Sequence, residues 1–242
     1  MGKTLPEGAY TIMKKSTKLF LSICSICTLA GLAQASTTDL RGLPGNFDQT
    51  TFGQPNTTFY AQSVVADSTV FNSATLQLIA TAGDINFNFL ITGARADGGG
   101  GLGFAPDLSN ILYNSGELTA GSGNPLTDFT INPNVPVANG QLLFLVVESL
   151  SYPGSGSGAV EATAFNGPTD LYPPGEFVFI NSNPGDTYAT INALPWAHRS
   201  VNNEDLAFAV TFSSVPEPTT NALLGLAAAS FVWVAFRRRR RA

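Results

Sequence analysis

Between Ser36 and Val215 the chain has no cysteine, no lysine and a single histidine, His198. Without thiols this stretch forms no disulfide and no Cys-His nucleophile pair, and one histidine cannot build a multi-histidine zinc site. Its basic residues are Arg41, Arg95 and Arg199 against fifteen aspartates and glutamates, a formal net charge of −12 where the whole chain carries −5. That acidity repels phosphate backbones and anionic headgroups, which excludes nucleic acid as a partner. Helical periodicity is also missing, since no segment here sustains it over three turns. What remains is about 180 residues, enough to bury a core as one domain without covalent staples.

The two cysteines, Cys24 and Cys27, lie upstream in an apolar stretch. Their C-x-x-C spacing has no strand-helix context, and neither follows the small residue pair of a lipoprotein site, so no redox or lipid chemistry is assigned to them. The surrounding pattern is that of an export signal. Met13-Lys14-Lys15-Ser16-Thr17-Lys18 is a basic n-region, Leu19 to Leu29 an apolar h-region, and Ala33-Gln34-Ala35 a small-x-small cleavage site before Ser36. Residues 1–35 are therefore expected to be a signal peptide cut after Ala35. Met13 alone would start a compact one, which makes Met1 to Ile12 an over-extended start.

The other end is built in three ordered parts. Val215-Pro216-Glu217-Pro218-Thr219-Thr220 precedes an apolar run of fifteen residues, Ala222 to Phe236, which is followed by Arg237, Arg238, Arg239, Arg240 and Arg241. As a helix the run would span about 22 Å, short of a ~30 Å hydrocarbon core, and snorkelling arginines make up part of the difference. An arginine cluster stays cytoplasmic, so everything before Pro216 is placed across the membrane. This arrangement resembles the PEP-CTERM sorting signal read by the membrane protease-transpeptidase exosortase. The resemblance implies that Pro216, Glu217 and Pro218 are the recognised residues and that the helix and the arginine stop are removed or exchanged during sorting. Residues 216–242 are taken as this signal.

Within 36–215 apolar residues recur at a period of two, the mark of half-buried strands. Ile85, Phe87, Phe89 and Ile91 form one such series, and Leu206, Phe208, Val210 and Phe212 another. Thr58 to Val65, Ala74 to Ala80, Ala159 to Phe165 and Glu176 to Ile180 are further strands, while Gln141 to Leu150 reads as a central strand covered on both faces. Clusters of Gly, Pro and Asn separate them at Asp97 to Gly103, Ala120 to Pro125, Asn132 to Pro136, Tyr152 to Gly158, Tyr172 to Gly175 and Asn181 to Asp186. The expected fold is all-β, an antiparallel β-sandwich. Its uneven connections favour a jelly-roll-like version, with a β-helix as the alternative although no constant period is present. The order of a Phe-rich strand, an Asn-Gly-Gln turn, a Trp and a closing Asp205-Leu206-Ala207-Phe208 strand also resembles sandwich domains found ahead of PEP-CTERM tails. That likeness implies no activity.

Chemistry is sparse. Gly154-Ser155-Gly156-Ser157-Gly158 carries glycine where a nucleophile elbow needs serine, so it reads as a flexible loop, and a serine triad on His198 has no elbow to serve it. Glycoside hydrolysis needs two carboxylates at a set separation, for which Glu148, Glu161, Glu176, Glu204 and Asp205 are the supply, with Glu148 and Glu161 on or beside strands. Calcium is the metal that suits the residue set, with Asp97 and Asp107 flanking the glycines 98–101 as candidates and Asn181, Asn183 and Asp186 a similar turn, although neither has EF-hand spacing. Trp196, Tyr152 and Tyr172, with Tyr188, fall in or near loops where rings could stack on sugars.

The reading is a non-enzymatic exported cell-surface or extracellular-matrix protein of an exopolysaccharide-producing bacterium. It requires no cofactor beyond possible calcium. Its partners are exosortase, signal peptidase with the export machinery, and exopolysaccharide. A carbohydrate-binding module and a secreted glycoside hydrolase or esterase are the alternatives left open.

Overall fold

The computed structural model describes residues 35–53, 57–97, 102–163, 170–199, 204–214 and 230. The chain divides into two compact units, Ala35–Ser213 and a second made of Met1–Gln34 with Ser214–Ala242. Of the second only Ser214 and Ser230 are described, so the n- and h-regions, Cys24, Cys27, the Pro216-Glu217-Pro218 motif, the apolar run and the arginines lie outside the described residues. Among the described residues no helix is long and apolar enough to cross a membrane.

The first unit is all-β. Its strands are β1 (Ala35–Asp39), β2 (Phe47–Gly53), β3 (Thr57–Val65), β4 (Val70–Ala82), β5 (Ile85–Ala96), β6 (Phe104–Ala120), β7 (Thr127–Ile131), β8 (Val135–Pro136), β9 (Leu142–Glu148), β10 (Ser157–Ala162), β11 (Phe177–Asn181), β12 (Ala197–His198) and β13 (Phe208–Ser213). One short helix, α1 (Tyr188–Asn192), starts at Thr187, whose hydroxyl accepts from the Thr190 amide in a reciprocal capping box. The strands join in one sheet, ordered β1-β13-β4-β10-β2-β3-β9-β5-β6, with β7 and β8 on β4, β11 on β3 and β12 on β11. All pairs but one are antiparallel. The exception joins β2 to β3 at Phe52 and Thr57 and makes the sheet mixed, where full antiparallel pairing was expected.

The pleat explains which residues are buried. On β5, Ile85, Phe87, Phe89 and Ile91 point into one core, together with Leu143, Leu145 and Val147 of β9 and with Leu76, Leu78, Val160, Phe208, Val210 and Phe212 from the other half of the sheet. Phe87 meets Phe129 of β7 edge-on at 5.0 Å between centroids, and Phe71 meets Phe212 at 4.9 Å. Fully burying each such ring contributes roughly 1.5–3 kcal/mol. The opposite faces of β3, β5, β9 and β11 are not left to solvent. Phe59, Ala61, Leu90, Phe144, Val146 and Val178 form a second core with Ile191 of α1 and Trp196. β9 is thus buried on both faces, as its unbroken apolar run predicts.

β10 runs antiparallel between β2 and β4, and Gly158 on it faces the Ile79 carbonyl so closely that no Cβ fits. A bulge beside it leaves Thr51 of β2 unpaired at φ +85°, a left-handed conformation rare for a β-branched residue.

Candidate functional site

His198, expected as a surface or rim residue, is instead the centre of a buried cluster. β12 pairs with β11 so that His198 opposes Val178, which brings the ring to Glu176, just before β11, and to Asp97, just after β5. The His198 Nδ1 lies 3.0 Å from Glu176 Oε2 and the Nε2 lies 3.0 Å from Asp97 Oδ2. The His198 side chain is 3% exposed and both carboxylates are 0% exposed. Each ring nitrogen is thus engaged by a carboxylate oxygen. Asp97 also accepts from Arg95 Nη1 at 3.1 Å and from the Trp196 amide at 2.9 Å, and Arg95 Nη2 donates to the Leu194 carbonyl. Glu176 Oε2 takes the Leu102 amide at 3.1 Å, while its Oε1 is buried without a hydrogen-bond partner.

This arrangement fixes what the cluster can do. The carboxylates sit on opposite ring nitrogens, so one ion cannot be bound by both and by the imidazole. Neither nitrogen is left for a serine hydroxyl. Mechanically, the cluster ties Asp97 and Leu102 to the β11–β12 pair, helped by the Asp97 amide donating to the Gly103 carbonyl.

Glu148 has a different setting. It ends β9 fully buried, and its Oε1 accepts from Asn88 Nδ2, from Ser151 Oγ at 2.9 Å and from the Tyr188 hydroxyl at 2.7 Å, while Oε2 accepts from the Ser151 amide. The Tyr152 hydroxyl donates to Asn88 Oδ1 at 2.8 Å and extends the network. Burial, with the nearby Glu148 charge, pushes the Tyr188 phenol well above the usual range, and burial also raises that of Tyr152. Glu161 lies on β10, whose neighbours Val160 and Ala162 point into the main core, so its side chain is turned to the outer face near Arg41. Glu148 shares the outer face of β9 with Phe144 and Val146.

Glu204 and Asp205 are buried before β13. Asp205 Oδ1 accepts from Gln62 Nε2 at 2.8 Å, its Oδ2 is buried without a hydrogen-bond partner, and burial, added to by Asp170 and Glu204, pushes its carboxyl up to about 7. Burial also raises Glu204, both of whose oxygens lack hydrogen-bond partners.

The remaining candidates do not converge. Trp196 is 3% exposed and packs edge-on against Phe59 at 5.7 Å, so its ring offers no face to a sugar in this arrangement. Tyr172 is half-buried, its hydroxyl accepting from the Val65 amide at 3.0 Å and its ring edge-on to Phe208. Asp97 is held in the ionic cluster, whereas Asp107 Oδ1 accepts from the Ser109 hydroxyl and amide, which hold its carboxyl below the usual range. Among the described residues no group of three His, Cys, Asp or Glu is placed to hold a metal ion. Sequence reading missed Arg95, Asn88 and Gln62 as members of buried polar networks, because polar residues on strands carry no periodic signal of their burial.

No curated protein and no solved structure matches the chain. Residues 214–240 match the family described as the PEP-CTERM protein-sorting motif. The chain thus carries, directly after β13, the sorting signal of an exported protein handled by an exosortase.

Proposed function

We propose that the protein is a non-enzymatic cell-surface or extracellular-matrix component, delivered by an exosortase in a bacterium that makes exopolysaccharide. The observation that carries this reading is the sorting motif at residues 214–240. The setting of the titratable groups supports the absence of catalysis. His198 spends both nitrogens on carboxylates, and Glu148 is taken up by its bonds to Asn88, Ser151 and Tyr188. The acidic unit, −12 between Ser36 and Val215, suits a soluble surface protein. We also read the folded-over sheet as a jelly-roll-like sandwich, supported by the Phe87–Phe129 contact between its two halves.

The test is fractionation of cells that express the tagged full chain, combined with assay of the exported form on glycoside and ester panels. Recovery in the surface or matrix fraction without turnover is expected. Retention in the periplasm, or turnover lost on Glu148→Gln or His198→Ala, would overturn the reading.

A further inference from the structure

The two ends of the folded unit meet in one strand pair. β1 lies antiparallel to β13 with Ala35 opposite Ser213, Ser36 opposite Phe212 and Thr38 opposite Val210. In the same register Leu40 opposes Phe208, and the Leu40 amide donates to the Phe208 carbonyl at 2.8 Å. Antiparallel ladders alternate hydrogen-bonded and non-hydrogen-bonded pairs. Counting back from Leu40, Thr38/Val210 and Ser36/Phe212 are bonded pairs, and Ala35/Ser213 is not. The close approach of Thr37 Oγ1 and Thr211 Oγ1, 3.3 Å apart in a non-bonded pair, agrees with this alternation. Among the described residues the last hydrogen-bonded pair is therefore Ser36/Phe212, at the residue that follows the Ala33-Gln34-Ala35 cleavage site.

We propose that the Ser36 amino terminus, created by cleavage after Ala35, docks in a site formed by the Phe212 carbonyl and the Asp67 carboxylate and so locks β1 onto β13. The proposal rests on the export reading of the N-terminal segment. Hydrolysis of the Ala35–Ser36 bond consumes one water and leaves a carboxylate on Ala35 and an ammonium on Ser36. Ala35 itself contributes no ladder hydrogen bond. The new ammonium keeps the bond that the Ser36 amide makes to Phe212, now strengthened by charge. Asp67 Oδ1 already accepts from the Ser36 hydroxyl at 2.6 Å, which sets this carboxylate beside the new ammonium. The Tyr172 hydroxyl, which also feels the Asp67 charge, is held by the Val65 amide at 3.0 Å. An order of events follows. A peptidase must hold its scissile bond in its own cleft, and the Ser36 amide is engaged in the ladder once β1 has docked. Cleavage thus precedes closure of this edge, and closure orders β13 up to Ser213, the residue before the sorting motif.

The lysines of the chain are Lys3, Lys14, Lys15 and Lys18, so after cleavage the Ser36 α-amine is the only primary amine left. An amine-directed acylating reagent then reads one site. The full chain is expressed in a host with signal peptidase, and the exported protein is first sequenced from its N-terminus. Acetylation at near-neutral pH is then followed by mass spectrometry for the wild type, Asp67→Asn, Asp186→Asn as an acidic control and the urea-unfolded wild type. The native amine should react at least about fivefold more slowly than the unfolded one. Asp67→Asn should recover about two- to fivefold of that, the scale of an exposed ion pair, and Asp186→Asn none. A Ser36 start with equal native and unfolded rates, or with no response to Asp67→Asn, overturns the docking site. A start at another residue overturns the cleavage reading and the proposal with it, and the sequencing step tells this outcome apart.

Discussion

Replacing His198 with alanine tests the ionic cluster most severely. The side chain is 3% exposed and bridges two carboxylates that are fully buried. Its removal strands Glu176, which keeps only the Leu102 amide, while Asp97 retains Arg95 and the Trp196 amide. Removing one partner of a buried ion pair costs about 3–5 kcal/mol because the other charge is left without compensation. Since Asp97 keeps a cation, the lower end applies, about 3 kcal/mol. For a domain of this size that corresponds to a fall in Tm of roughly 6–12 °C. Urea and thermal unfolding of the exported protein measure it. A second substitution separates charge from packing: Glu176→Gln added to His198→Ala removes the stranded charge and should recover about 1 kcal/mol or more. A loss below about 1 kcal/mol, or no recovery in the double variant, would refute the argument that the ring is held between two charges.

Three further outcomes follow from the fold. Asp205, raised to about 7 by burial, contributes stability that is present below the unfolded aspartate value near ~4 and lost as pH rises through about 7. Asp205→Asn keeps the acceptor for Gln62 and should raise the urea midpoint at pH ~8 more than at pH ~5, by roughly 2–4 kcal/mol in stability; parallel pH curves for variant and wild type would contradict this. Gly158→Ala drives a Cβ into the Ile79 carbonyl inside a central strand and should cost about 3 kcal/mol or prevent folding, read by circular dichroism and unfolding, whereas a stable variant would mean that β10 is packed differently. The exported unit has no thiols, so a reductant should leave its Tm unchanged, and a shift would show that residues upstream of Ser36 persist.

Legibility in the sequence followed burial. The series Ile85, Phe87, Phe89 and Ile91 and the series Leu206, Phe208, Val210 and Phe212 announced themselves by alternation, and all eight lie in the main core. Alternation misled about the other face of β5, where Asn88 and Leu90 are buried as well, since nothing local reveals that α1 and Trp196 cover it. β6 escaped notice although it runs from Phe104 to Ala120. It pairs only with β5, carries register shifts and the left-handed Gly116, and exposes many side chains, so it has no apolar pattern to read. The Asp97–His198–Glu176 cluster was invisible for a different reason. Its members are far apart in the chain and meet only through the pairing of β11 with β12, and that pairing is a property of topology.

The central claim, that residues 214–240 act as an exosortase signal, is tested by replacing Pro216, Glu217 and Pro218 with alanine. The change leaves the apolar run Ala222 to Phe236 and the arginines Arg237 to Arg241 intact, so insertion and orientation are preserved. The measurement is the size and location of the tagged protein, with and without the motif, in cells with and without the exosortase. C-terminal processing and release from the inner membrane should occur only when both are present. Identical processing in all four combinations would contradict the account and leave the tail as an ordinary membrane anchor.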